Sequence, residues 1–346
     1  MTDFKAQELP PASETSSSST QATITVAVVG CGRWGKNLAR NFHHLGALKA
    51  ICDLEPETLK AQKKLFPEVN TTAEFHSLLV DPNLTAVVIS TPSQTHFKLA
   101  KAAILAGKHV YVEKPIATTA LETKELFELA TQHERILMVG HLLLYHPAVN
   151  RLKQLIDEGY LGEIRYIQSD RLNFNPYRQD KSVLWDLAPH DLAMVCYLLG
   201  QEPISVVSAH GHRTSADGLI DVAHIELAFS GGVGGHIHSS WIHPSKQVKL
   251  IVRGTERIAM MDDTLESGKL QIFSKDDDRQ AIKEFPEYLA IEPLKLECQH
   301  FINAIRDNRP PKTDGPNGYT VVRVLEEAEK LLETIPLSEA ISEHSS

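Results

Sequence analysis

The sequence predicts an α/β chain of two domains: first a doubly wound parallel sheet, then an α+β domain built on an open, mainly antiparallel sheet. Three observations predict this. A chain of 346 residues is too long for one ordinary core and suits two. Short apolar runs alternate with helical patterns as far as Gly140, the grammar of a parallel sheet with helices on both faces. Beyond Gly140 the grammar changes, and strands follow one another with apolar residues at every second position. The expected boundaries are 23–142 and 143–336, with tails at 1–22 and 337–346. The first tail is rich in Ser, Thr and Pro and reads as disordered.

In order, the first domain reads as strands Ile24–Val29, Leu48–Cys52, Ala86–Ser90, His109–Val112 and Ile136–Gly140. The helices between them are Lys36–Leu45, Pro56–Phe66, Ala73–Leu79, His96–Ala106 and Leu121–His133. In the second domain Pro147–Glu158 and Asp186–Leu199 read as helices. Strands are expected at Ile164–Arg171, Ile204–Ala209, Val222–Phe229, Val233–Trp241, Val248–Val252 and Arg257–Met261. Ala223, Ile225, Leu227 and Phe229 share one face, and Ser230-Gly231-Gly232 reads as a hairpin turn. The opposite face carries His224, Glu226, His236 and His238. Leu294–Arg306 and Tyr319–Thr334 close the chain as helices.

Composition excludes several classes. The formal charge of −9 comes with no basic tract to grip phosphate backbones, so nucleic acid is not an expected partner. No run of eighteen apolar residues suggests a membrane span, and the amino terminus lacks a signal-peptide pattern. The four cysteines are scattered, which suits reduced thiols in the cytoplasm. His210-Gly211-His212 and the His236/His238 pair lack a cysteine or carboxylate at fixed metal spacing, so no metal is expected.

Gly30-Cys31-Gly32-Arg33-Trp34-Gly35 fills the GxGxxG pattern between a strand and a helix. Gly30 permits the tight turn, Gly32 lets backbone approach a pyrophosphate, and Gly35 lets helix pack on strand. The amides around Arg33 and Trp34 then face the phosphates. Asp53 ends the second strand, where a carboxylate accepts hydrogen bonds from the adenosine ribose and repels a 2′-phosphate. Leu54, not an arginine, follows it. The expected cofactor is NAD.

Two further motifs carry chemistry. Glu113-Lys114-Pro115 ends a strand, and the crevice beyond such strand ends is where ligands bind. A lysine there can donate to a substrate oxygen and hold alkoxide charge, although a surface loop lysine fits the position equally. Asp186 and His190 are four apart and share a helix face, so the histidine can accept an alcohol proton while the carboxylate orients it. Equally, Asp186 suits a helix N-cap with Pro189 in the first turn.

Together Val29 to Gly35, Ser90-Thr91-Pro92 with His96, Glu113-Lys114-Pro115 and the Asp186/His190 pair resemble the glucose–fructose oxidoreductase / inositol dehydrogenase / rhizopine-catabolism family. The resemblance runs from about Thr23 to Leu332. It implies Lys114, Asp186 and His190 as catalytic residues, with Ser90, Thr91, Pro92, His96 and Glu113 lining the cofactor. It further implies dimers or tetramers built on the open sheet, with Ser239 and Ser240 beside His236 and His238 on that face. Gly140-His141 through Pro147, and Val183 through Asp191, resemble in particular the branch acting at C3 of UDP-N-acetylglucosamine or its uronic acid. Leu142-Leu143-Leu144 stands where many members have an arginine, so no substrate contact carries over there. Arg171, Asn173, Tyr177 and Arg178, just before the catalytic helix, are the expected sugar or diphosphate contacts. The implied reaction is reversible oxidation of a secondary alcohol on a sugar, with His190 taking the proton and Lys114 binding the same oxygen; the resemblance leaves it open whether the lysine or the histidine is the base. A polyol or cyclitol dehydrogenase, or a non-catalytic NAD-sensing regulator, are the other readings; the retained lysine, aspartate and histidine argue against the regulator.

Overall fold

The computed structural model describes residues 23–174, 181–214, 219–275 and 281–333. Both expected tails, together with Tyr177 and Arg178, lie outside them. The first sheet is formed by β1 (Val26–Val29), β2 (Leu48–Cys52), β3 (Asn70–Thr72), β4 (Ala86–Ile89), β5 (His109–Glu113) and β6 (Leu137–Gly140). Its order is β3-β2-β1-β4-β5-β6 and every pairing is parallel, the arrangement of a Rossmann dinucleotide-binding sheet. Connecting helices are α1 (Gly35–His44), α2 (Pro56–Leu65), α3 (Phe75–Leu79), α4 (His96–Leu105) and α5 (Ala120–Gln132).

The strands are apolar on both sides because both faces are covered. Val26, Val28, Val88, Tyr111 and Met138 join one core, while Ala27, Val29, Val87, Val110 and Val139 join the other. The second core receives Ala100, Ile104, Leu126 and Val322.

The second domain opens with α6 (Pro147–Asp157), β7 (Ile164–Phe174) and α7 (Val183–Leu199). Then come β8 (Ser205–His212), β9 (Val222–Ala228), β10 (Gly234–Ser240), β11 (Ile242–Gly254), β12 (Ile258–Asp262), β13 (Leu270–Lys275) and β14 (Ala281–Glu284). The sheet order is β14-β13-β12-β11-β7-β10-β9-β8, and β7 with β10 is its single parallel pairing among the described residues. Ala223, Ile225, Leu227 and Ile237 point inward, where α7 packs, while His224, Glu226, His236 and His238 are on the open face. Of the two serines expected on the open face, Ser239 alternates inward with Ile237, while Ser240 is on the side of His236 and His238 but is buried there.

The chain closes with helices α8 (Pro293–Asp307) and α9 (Gly315–Glu333). Phe301 of α8 packs edge-on against Phe42 of α1 and Tyr111 of β5, at 6.3 and 5.8 Å between ring centres. α9 packs along α5, α7 and β8 and so ties the domains together. No described helix is long and apolar enough to cross a membrane.

Candidate active site

The glycine loop is built as its spacing predicts. Gly30 has φ +83°, and a Cβ there would come within 2.7 Å of the Ser90 carbonyl oxygen. A Cβ on Gly35 would lie 1.8 Å from the Gly30 oxygen, so α1 can approach its strand only with glycine at that position. Gly32 faces open space, with nothing within 4 Å of an added Cβ. Helix α1 starts after Trp34 with no side-chain cap, leaving its first amides for an anion. Asp53 braces the turn: its Oδ2 accepts from the Cys31 amide at 2.6 Å and its Oδ1 from the Glu55 amide at 2.9 Å. A clear cradle, uncapped amides and an immobilised carboxylate at the end of β2 fit a dinucleotide.

Three more expected cofactor residues take defined places. The Trp34 indole donates to Glu113 Oε1 at 2.6 Å, which pins the glycine loop to the end of β5. Burial pushes the Glu113 carboxyl up, against the lowering effect of Trp34 and Lys114. Ser90, Thr91 and Pro92 follow β4, with Thr91 Oγ1 bonded to Thr95 Oγ1 at 2.6 Å. His96 was expected at the cofactor, but it is buried and its ring is spent on backbone. Nδ1 lies 2.8 Å from the Pro115 carbonyl and Nε2 lies 2.8 Å from that of Thr91. Burial lowers its pKa, so the neutral ring donates to one carbonyl and only abuts the other. His96 therefore holds the two loops together without needing to touch a ligand.

Lys114 follows β5 and reaches across to α7, where its Nζ donates to the Asp186 carbonyl oxygen at 2.8 Å. The Lys114–Pro115 peptide is cis. Burial lowers the Lys114 pKa to about 8, with the Asp186 carboxylate acting in the opposite direction. His190 is one turn beyond Asp186. Burial, and then the charges of Lys114 and Arg171, hold its pKa well below the ordinary histidine value, and its Nδ1 is buried without a hydrogen-bond partner among the described residues. The three residues implied as catalytic thus meet across the domain boundary, at the carboxyl ends of the parallel strands.

Asp186 is not the N-cap that its sequence position allowed. Helix α7 begins at Val183 behind Ser182, which puts Asp186 in the first turn and Pro189 inside the helix. The buried side chains of Val183 and Leu184 draw the chain in early, and the Val183 amide is satisfied by the Ile220 carbonyl at 2.9 Å. The Asp186 carboxylate meets Lys181 at 3.4 Å, a partner that no motif pointed to.

Arg171, expected to bind a diphosphate, is committed within the protein. Its Nε and Nη2 meet Asp191 at 2.8 and 3.0 Å, and Ser169 donates to the same carboxylate at 2.7 Å. The alternation of β7 turns Arg171 inward to α7. Asn173, two residues on, has a buried Oδ1 with no partner among the described residues and is free to meet a substrate. Sequence reasoning missed His141, which follows β6 beside Lys114; it was read only as part of a motif.

A Rossmann cradle facing a lysine and a histidine across a domain crevice defines a nicotinamide-dependent oxidoreductase. The profile of the oxidoreductase family with an NAD-binding Rossmann fold matches residues 24–141, and that of the GFO/IDH/MocA carboxy-terminal domain matches residues 149–259. The chain belongs to this family, the GFO/IDH/MocA oxidoreductases. It is 29% identical over 312 residues to UDP-N-acetylglucosamine 3-dehydrogenase of Acidithiobacillus ferrooxidans, covering 86% of this chain and 94% of the relative. The solved structure of that enzyme, GnnA, superposes with a TM-score of 0.80 at 26% identity, covering 90% of this chain and 98% of that one. The NAD-dependent scyllo-inositol 2-dehydrogenase of Bacillus subtilis is also 29% identical, over 304 residues, covering 83% of this chain and 88% of the relative. The protein is an NAD-dependent dehydrogenase of CH–OH groups in sugars or polyols.

Proposed function

We propose that the protein reversibly oxidises the C3 hydroxyl of a UDP-N-acetylhexosamine or its uronic acid. The observation that carries the chemistry is the meeting of Lys114 with Asp186 and His190 at the mouth of the NAD cradle. NAD supplies the hydride acceptor when bound. Lys114 in its neutral form takes the hydroxyl proton as hydride leaves the carbon, because a pKa of about 8 leaves part of the amine unprotonated near neutral pH. His190 stays neutral and hydrogen-bonds the same oxygen; burial beside a cationic lysine makes it a poor proton acceptor in this arrangement. This takes the lysine as the base, the choice between the two residues that the sequence leaves open. The Asp186 carbonyl fixes the Lys114 amine, and Asn173 contacts the sugar.

Support for a nucleotide sugar comes from the motif around His190 and from the UDP-N-acetylglucosamine relative. The equal identity to an inositol dehydrogenase favours the second reading, a cyclitol substrate. Arg171, tied to Asp191, no longer speaks for a diphosphate. A single-turnover assay separates the two. The NAD-loaded protein is mixed with UDP-N-acetylglucosamine, its uronic acid, myo-inositol and scyllo-inositol, and keto products are sought by mass spectrometry. A 3-keto UDP-sugar is expected; an inosose with no UDP-sugar product overturns the proposal.

A further inference from the structure

The register of the first sheet brings an unassigned histidine beside the catalytic lysine. Glu113 of β5 pairs with Gly140 of β6, so the next residues, Lys114 and His141, leave adjacent strands side by side, about one strand spacing apart. The His141 amide donates to the Val139 carbonyl at 2.8 Å, closing a three-residue turn centred on Gly140, and His141 itself has φ −92° and ψ 69°.

The ring is 2% exposed, yet neither Nδ1 nor Nε2 has a hydrogen-bond partner among the described residues. Other enclosed histidines do have one. His109 Nδ1 accepts from the Ile136 amide at 2.9 Å, His300 Nε2 from the Lys312 amide at 3.1 Å, and His146 Nδ1 from the Ala148 amide at 3.2 Å. The histidines left with a buried unpartnered nitrogen, His141 and His190, both feel the Lys114 charge, and His141 acts on His190 in turn. Burial, then Lys114, lowers the His141 pKa to about 3, so its ring is a neutral group with one donor and one acceptor.

Buried polar groups in folded proteins are paired, and one left open at a reaction centre is paired by what binds there. Vicinal hydroxyl oxygens of a sugar or cyclitol lie about 3 Å apart, so the neighbour of a hydroxyl held by Lys114 comes within reach of a group one strand over. We propose that His141 is a substrate-binding residue that hydrogen-bonds the hydroxyl vicinal to the carbon being oxidised, and so requires a vicinal diol. The proposal rests on the sugar or polyol class of substrate, and holds for a UDP-sugar and a cyclitol alike.

The test uses the full-length protein as parent, His141→Phe and His141→Gln, with the four compounds named above. For whichever compound the parent turns over, His141→Phe is expected to raise KM at least tenfold while the NADH dissociation constant stays within twofold. Gln, which keeps a donor and an acceptor, is expected to recover part of the loss. An unchanged KM, or an equal loss of NADH affinity, overturns the proposal. Melting curves need no substrate. Replacing an unpartnered buried imidazole by Phe is expected to leave Tm unchanged or raise it by about 2 °C. A fall of several degrees means that the ring is a structural member of the fold and overturns the proposal. If none of the four compounds reacts, the proposed substrates fail, while the melting result still decides whether His141 is structural.

Discussion

At the residue scale, the cofactor site depends on charge. The Asp53 carboxylate is held by two amides, and any 2′-phosphate at the ribose would meet it. NAD(H) is therefore expected to bind more tightly than NADP(H), and Asp53→Ala to narrow the gap; titration of nicotinamide fluorescence measures both. The reacting groups make a second prediction. Lys114→Met and His190→Ala should each lower turnover by about two to four orders of magnitude with NADH affinity little changed. In the proposed mechanism Lys114 must lose its proton to act, and burial lowers its pKa to about 8. In the oxidation direction kcat/KM should rise with pH up to about 8 and then level, whereas a profile flat from pH 6 to 9 would remove Lys114 as the acceptor. Lys114 and His190 were legible as candidates because they sit in motifs; which of them takes the proton was not. That His190 is held neutral was not, since its neighbours come from distant parts of the chain.

At the element scale, two packings set the site. Helix α1 can start against the glycine loop only because Gly35 has no side chain; Gly35→Ala should weaken NADH binding at least tenfold, measurable by fluorescence titration. Helix α7 is anchored to β7 by the Arg171–Asp191 pair, whose carboxylate is fully enclosed. Asp191→Ala strands a buried guanidinium and should cost about 3–5 kcal/mol in denaturant unfolding, with activity lost through displacement of α7. The sequence placed α7 but began it three residues late, since Pro189 reads as a first-turn residue. The edge strands β3 and β14, and β13 between β14 and β12, were not expected at all, because their pairing is supplied by neighbouring strands and not by the segments' own pattern.

At the scale of the whole molecule, buried neutral histidines link folding to pH. Burial lowers His109 to about 4 and His141 to about 3, below the ordinary value near 6.5. Groups with a depressed histidine pKa favour the unfolded state once protons are available. Their contribution is intact above about pH 6.5 and is lost as pH falls toward 4. Tm should therefore drop by about 5 °C or more between pH 7.5 and pH 5; a constant Tm over that range would contradict the burial of these rings. The open face of the second sheet carries His224 stacked on His238 at 4.1 Å and His236 bound to Glu226 at 2.5 Å. We propose a homodimer or homotetramer built through this face, and light scattering showing a monomer at micromolar concentration would refute it.

By itself the sequence determined the main succession of elements, short of β3, β13 and β14, together with the nucleotide cradle and the candidate residue types at the reaction centre. Each of these is a local property: strand and helix periods, glycines at fixed spacing, a lysine at a strand end. Only the tertiary structure decided which polar groups are already satisfied. Arg171 is spent on Asp191 and the one N–H of His96 on a backbone carbonyl, while His141 is left open beside Lys114. Hydrogen-bond partners and desolvation come from residues far apart in the chain, so a motif can name a side chain without showing whether it is free to act.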